Sequence, residues 1–293
     1  MISTLVSASC WTRIVAELDR VYPDEAVAAP LCALVYRDPL RDPCAPIQLA
    51  DLRQVVIPRV VLVPADSQQN SPTRVRVLEG ADVRVNAELL ELTRRHPRLR
   101  ACAALHSHPF ALGGTAPSRG LCGDVGGHMQ PLLERNRDAG LEACFSFIAC
   151  RGAAGWRLQG FALDGRGELH DLGFARILED ASPLLGPLLL APLADRWPQR
   201  HLLRRWRREL RRAGWRHRTD ELFDGWLRTV VELGPGRRAV ILLPLTFPAA
   251  APRFFAVQEN PRRVVPFRPA GSPYLGPAAW RSALEQMERF HAA

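Results

Sequence analysis

His106-Ser107-His108-Pro109 carries the strongest chemical signal in the chain, because two imidazoles stand one residue apart after the apolar run 101–105. In an extended strand, residues i and i+2 face the same side, so both rings can reach one ion. Pro109 has no N–H for the next rung of a sheet and stops the strand there. A loop of Gly, Pro and Ser follows, and then Asp124. Two neutral nitrogens and a carboxylate form a zinc ligand set that leaves a fourth position for water, the pattern of catalytic sites. Other assignments stay open from the residues alone. His128 can replace Asp124 as a ligand, and Cys122 is soft enough for zinc. For the base that such chemistry needs, Glu25 competes with Glu79 and Glu88.

These groups need a scaffold, and its elements can be read in order. Trp11, Ile14, Val15 and Leu18 mark a helix over residues 10–21, ended by Pro23. Residues 26–36 suit a buried strand. Residues 55–63 suit another, with Pro58 implying an edge or a bulge. A helix over 88–95 ends before Pro97, and the strand 101–105 leads into the histidines. Met129, Leu132 and Leu133 define a helix over 128–138, stopped by Gly140. Strands over 145–150 and 156–163 follow, the second running into an Asp164-Gly165 turn. This order predicts a mixed α/β domain over residues 1–180.

Residues 181–198, rich in Pro and Leu, read as a packed linker to a smaller basic α+β domain over 181–293. Leu203, Trp206, Leu210 and Ala213 repeat with helical spacing under an arginine-laden face over 197–215. Strands over 222–233, 238–245 and 254–257 and a closing helix over 278–291 complete it.

The chain holds 39 positive residues, all arginine, and a net charge of +9; ten of the arginines lie between Arg196 and Arg218. A genome rich in G and C explains arginine replacing lysine, and a lysine-free protein also cannot be tagged on a side-chain amine. Seven cysteines without a C-x-x-C pair fit a reducing cytosol, and no run approaches the roughly 18 apolar residues of a membrane span. The start lacks a secretory pattern, so a cytoplasmic location is expected.

His106-Ser107-His108-Pro109, Ser118, Asp124 and the element Tyr22-Pro23-Asp24-Glu25 together resemble the JAMM (JAB/MPN) zinc metalloproteases, over roughly residues 8–180. The resemblance implies a JAB/MPN-type α-β-α, cytidine-deaminase-like fold and one zinc on His106, His108 and Asp124. It implies Glu25 as general base and Ser118 as oxyanion stabiliser. It also implies an isopeptidase or peptidase cleaving after the C-terminus of a ubiquitin-like protein in a bacterial pathway. Two positions depart from the family pattern. Leu121 stands where the family's Ser precedes the ligand Asp, the nearest Ser118 being six residues away, and Ala28-Ala29-Pro30 replaces a frequent Cys-Gly pair.

The second domain more weakly resembles a ubiquitin-conjugating or RWD-like fold, in Leu242 to Pro248 and Ala251 to Phe254. With no cysteine after Cys150 it cannot form a thioester, so the resemblance implies a binding version. Expected partners are therefore a ubiquitin-like protein or its conjugates, and conjugating or activating enzymes of the same operon. A catalytically silent JAB/MPN scaffold is the alternative. Nucleic acid and membrane are not expected, because the arginine helix lacks the aromatic platform of single-strand binders.

Overall fold

The computed structural model describes residues 2–42, 45–64, 67–71, 74–78, 80–96, 98–109, 116–119, 123–180, 182, 200–221, 226–244, 250–268 and 277–290. The chain divides into two compact units, Met1–Asp38 with Cys44–Leu189, and Pro39–Pro43 with Leu190–Ala293. The division thus falls at Leu189/Leu190 where the sequence placed it at 180/181, and the second unit also draws in a short early segment that no linear reading assigns to it.

The first unit is mixed α/β. β1 (Ser3–Ser7) runs into α1 (Ala8–Val21), whose entry is capped by Ser7, its hydroxyl accepting the Cys10 N–H at 3.2 Å. Cys10, Ile14 and Leu18 form the buried stripe of α1. Then come β2 (Val27–Tyr36), β3 (Ile47–Gln48), β4 (Leu52–Leu62), the hairpin β5 (Gln68–Ser71) and β6 (Arg74–Val77), and α2 (Ala81–Arg95). β7 (Leu99–Arg100), β8 (Ala103–His108), α3 (Gln130–Asp138), β9 (Leu141–Gly152), β10 (Gly155–Asp164), β11 (Leu169–Phe174) and β12 (Arg176–Leu178) follow. The main sheet has the order β11-β10-β9-β8-β2-β4-β1-β12. β8 and β9 run parallel, as do β1 and its two neighbours, while the remaining pairs on this path are antiparallel.

The sheet curls almost shut. A Cβ added at Gly160 of β10 would meet Thr4 Oγ1 of β1 at 2.7 Å, so only glycine lets these strands approach. Helices cover both faces. Alternate residues Phe145 and Phe147 of β9 join the core that buries α1, while Cys144 and Ile148 join the cluster under Met129, Leu132 and Leu133. Burying each phenylalanine contributes roughly 1.5–3 kcal/mol.

Pro58 sits at a bulge and not at an edge, because β4 lies between β2 and β1. Leu31 pairs with Arg59 and Ala33 with Val56, so Ile57 and Pro58 together face Cys32 and the missing N–H costs no rung. α2 begins earlier than its apolar spacing suggests. Among residues 81–88 only Ala81 is buried, and that stretch offers almost no stripe to read.

The second unit is a helix, an antiparallel meander and a second helix. α4 (Arg200–Arg212) precedes β13 (His217–Glu221), β14 (Trp226–Gly234), β15 (Arg237–Pro244), β16 (Arg253–Glu259) and β17 (Arg262–Phe267), paired in that order, and α5 (Pro277–Phe290) closes the unit. Trp206 and Leu210 of α4, with Ala283, Leu284 and Met287 of α5, pack on Leu227, Val231, Ile241 and Leu243. The other face of the sheet buries Leu40 with Val230, Val240, Leu242 and Val257. There the buried Arg228 donates from Nη1 to the carbonyls of Pro39 at 2.8 Å and Arg41 at 3.1 Å, and Arg238 donates to that of Leu40 at 2.9 Å. Backbone oxygens thus meet part of the demand of these buried guanidinium groups, and for Arg238 the carboxylates of Asp42 and Glu259 add to it.

Among the described residues no helix is long and apolar enough to cross a membrane. Cys10, Cys32, Cys102, Cys144 and Cys150 are buried free thiols. Burial pushes the thiols of Cys10 and Cys144 up to about 12, which makes them packing residues and not nucleophiles. Pro97, residues 181 and 183–198 of the linker, Phe247 and Pro248 lie outside the described residues.

Candidate metal centre

β8 ends on the two histidines, whose Nε2 atoms lie 3.0 Å apart with their rings edge-to-face. Between them Ser107, fully buried on the opposite face, latches β8 to the start of β2. Its Oγ accepts the Ala26 N–H at 2.8 Å, and its own N–H donates to Ala26 O at 3.0 Å. Val27 pairs with His106 in this antiparallel ladder, and Glu25, two residues before β2 begins, lies close enough to His106 and Asp124 for both to act on its charge. The β5–β6 hairpin holds the same stretch from the other side. Ser71 O accepts the Glu25 N–H at 2.9 Å, and Gln68 Oε1 accepts the Val27 N–H at 3.2 Å. Ser107, Gln68 and Ser71 escaped the sequence reading. Only Ser107 had a signal, since strand alternation places it behind the histidine face.

Asp124 opens a wide π-helical turn (Asp124–Met129) that continues into α3. The sequence reading began this helix at residue 128, because Gly126 and Gly127 are poor helix formers. Ser118 and Asp124 are six positions apart yet clasped together. The Ser118 N–H and hydroxyl both donate to Asp124 Oδ2, at 2.7 and 3.0 Å, and the Asp124 N–H donates back to Ser118 Oγ at 2.9 Å. Asp124 Oδ1 then lies 3.2 Å from His106 Nε2, and Oδ2 lies 3.9 Å from His108 Nε2.

The donor set fits a small divalent ion. One ligand atom from each of the three residues lies within 4.8 Å of the others, close to the roughly 3.3–3.6 Å edges of a tetrahedron with bonds of about 2.0–2.2 Å. His106 and Asp124 are each 9% exposed. Burial, and then the neighbouring His106, lowers the pKa of His108 against the pull of Asp124, favouring the neutral ring that ligates metal. Burial acts to raise Asp124, but the His106 ring and the Ser118 donors outweigh it and hold the carboxyl well below its usual range.

Half-buried Glu25 behaves in the opposite way. Burial, with a smaller push from Asp124, raises it from 4.5 to about 7 against the attraction of His106. A carboxyl whose folded pKa is raised contributes stability that is complete below the unfolded value and lost as pH rises through the folded one. In metal-free protein, Glu25→Gln should therefore raise the melting temperature at pH 8 and leave it unchanged near pH 4. A pH-independent difference between the two proteins would contradict this placement.

Gly123 makes the Ser118 clasp possible. An added Cβ would meet Ser118 O at 2.8 Å and Ser118 Oγ at 3.0 Å. Gly123→Ala should weaken metal binding about 10–100-fold, the usual loss for a group orienting a ligand, with little change in far-UV circular dichroism. Metal titration checks it, and an unchanged Kd would mean that the clasp does not matter.

The rival residues are placed less favourably or not described. His128 stands outside the ligand cluster of His106, His108 and Asp124, although partial enclosure of its ring and then His106 lower its pKa. Glu88 is exposed on α2. Glu79 and Cys122 lie outside the described residues. A second group, Asp164, Glu168 and His170, also clusters. There Asp164 Oδ1 accepts the N–H groups of Arg166 and Glu168 while Oδ2 meets His170 Nε2 at 3.0 Å, so its oxygens already shape the β10–β11 turn.

No family model matches the chain, and no curated protein matches it. Among solved structures it is similar to the solution structure of protein DSY2949 from Desulfitobacterium hafniense. Identity is 16%, coverage is 62% of this chain and 96% of that one, and the TM-score is 0.36. A likeness at that score carries no argument about fold or function.

Proposed function

We propose that the chain is a zinc-dependent peptidase or isopeptidase of the JAMM (JAB/MPN) type, which cleaves after the C-terminus of a ubiquitin-like protein in a bacterial conjugation pathway. The observation that carries this reading is the convergence of His106, His108 and Asp124, with Glu25 near enough for His106 and Asp124 to act on its charge. Helices on both faces of the curled mixed sheet are in keeping with the α-β-α, cytidine-deaminase-like fold that the resemblance implies.

His106, His108 and Asp124 would hold one zinc per chain. Bound there, zinc would supply Lewis acidity, which brings the pKa of water at such sites toward about 7. Glu25, whose own pKa burial brings to about 7, is matched to take a proton from water and pass it to a leaving amine. The Ser118 hydroxyl spends its one proton on Asp124 in this structure. That geometry supports an orienting role toward the ligand, and Ser118 serves as an oxyanion donor only if it releases Asp124 when substrate binds. The helix–meander–helix order of the second unit, without cysteine, supports a recognition role there.

Full-length protein loaded with zinc should cleave a ubiquitin-like protein fused to a C-terminal reporter at the end of the ubiquitin-like tail. A chelator should stop the reaction and added zinc restore it. Failure to cleave either linear fusions or isopeptide-linked conjugates of bacterial ubiquitin-like proteins would overturn the enzymatic reading in favour of the silent scaffold.

A further inference from the structure

The outer face of α4 concentrates charge beyond what genome composition explains. A G- and C-rich genome substitutes arginine for lysine everywhere, but it does not crowd ten of 39 arginines into residues 196–218. The inner side of the helix is Trp206 and Leu210, each 1% exposed. Its outer arc carries Arg204, Arg205, Arg208, Arg211 and Arg212, all exposed. Glu209, the one carboxylate of the helix, is paired with Arg212 at 3.2 Å. Arg204 and Arg208 are like charges four residues apart, an arrangement that costs about 0.2–0.5 kcal/mol in an isolated helix. The fold tolerates a self-repelling face that an anionic partner would relieve.

We propose that this face binds the phosphate backbone of duplex nucleic acid without reading its sequence. Charge density is the first reason. Arg204 to Arg212 spans about 12 Å of helix, and duplex DNA presents one phosphate per about 1.7 Å of its axis. The second reason is what the arc lacks. A protein interface needs apolar or aromatic anchors at its centre, and the outer arc of α4 has none. Nor can the helix lie in a membrane surface, because its apolar side is already buried in the core of its own unit. The missing aromatic platform bears only on single strands, whose bases must stack on protein; a duplex stacks its own. Neutralising phosphates carries no sequence information of its own.

Anisotropy of labelled DNA duplexes of two unrelated sequences, titrated with the full chain at about 50–200 mM salt, tests this. The two sequences should bind alike with micromolar Kd, and the logarithm of affinity should fall with the logarithm of salt at a slope of about −4. Arg204→Gln with Arg208→Gln and Arg211→Gln should reduce that slope by about 3, at roughly 0.9 per phosphate contact. The matching triple lysine variant, which keeps the charge, should keep the slope. Several results would overturn the proposal: no binding at 50 mM salt, a slope unchanged by the glutamine variant, a slope lost in the lysine variant, or equal competition by poly-L-glutamate. Zinc content, which depends on His106, His108 and Asp124 of the first unit, should be the same in all these proteins, so failure here is separable from failure of the metal centre.

Discussion

Glu25→Gln should leave the metal in place and cut peptidase turnover by about 10²–10⁴-fold, the usual cost of removing a general base. The substitution keeps size and hydrogen-bonding capacity. The backbone of residue 25 stays tied through its N–H to Ser71 O, and the next residue through its N–H to Ser107 Oγ. Position is therefore retained and only the proton acceptor is lost. Burial already brings this carboxyl to about 7, so a base poised near neutral pH disappears without any change in the ligand set. Single-turnover rates of wild type and variant, each with zinc content measured on the same sample, check it. Equal rates would mean that another carboxylate is the base, and Glu79 would be the next to test.

The double change His106→Ala, His108→Ala should abolish stoichiometric zinc. Structural zinc sites bind with apparent free energies of about 10–16 kcal/mol over four ligands, or roughly 3 kcal/mol each, so losing two costs about 10⁴-fold in Kd. The strand itself should survive. Leu105 and Ser107, the residues that face the other way, are buried at 1% and 0% exposure and hold β8 against its neighbours. Unchanged circular dichroism with no retained zinc is the expected pair of readings. Zinc retained at one per chain would move the site elsewhere.

The imidazole pair was legible because a period of two is the simplest geometry a strand imposes, and Pro109 marked where it ends. Asp124 was legible only by type, since nothing local shows that a six-residue gap can close into the Ser118 clasp; Gly123 permits it by leaving room that no other residue leaves. The hold of Gln68 and Ser71 on Glu25 was invisible, because it depends on a hairpin some 45 residues away in the chain packing beside β2. The same limit hid the membership of Pro39–Pro43 in the second unit. Two buried arginines, Arg228 and Arg238, 187 to 198 residues downstream, select those carbonyls, and arginine in a strand otherwise reads as surface. Propensity and periodicity report the chain's near neighbours, whereas the shape of this site is set by distant ones.

Crystals grown with zinc and measured on both sides of the zinc absorption edge would test the metal centre most directly. We expect one anomalous peak per chain, about 2.0–2.2 Å from His106 Nε2, His108 Nε2 and a carboxylate oxygen of Asp124. An empty position there, or a peak held by Asp164 and His170 instead, would contradict the metal centre and the peptidase built on it.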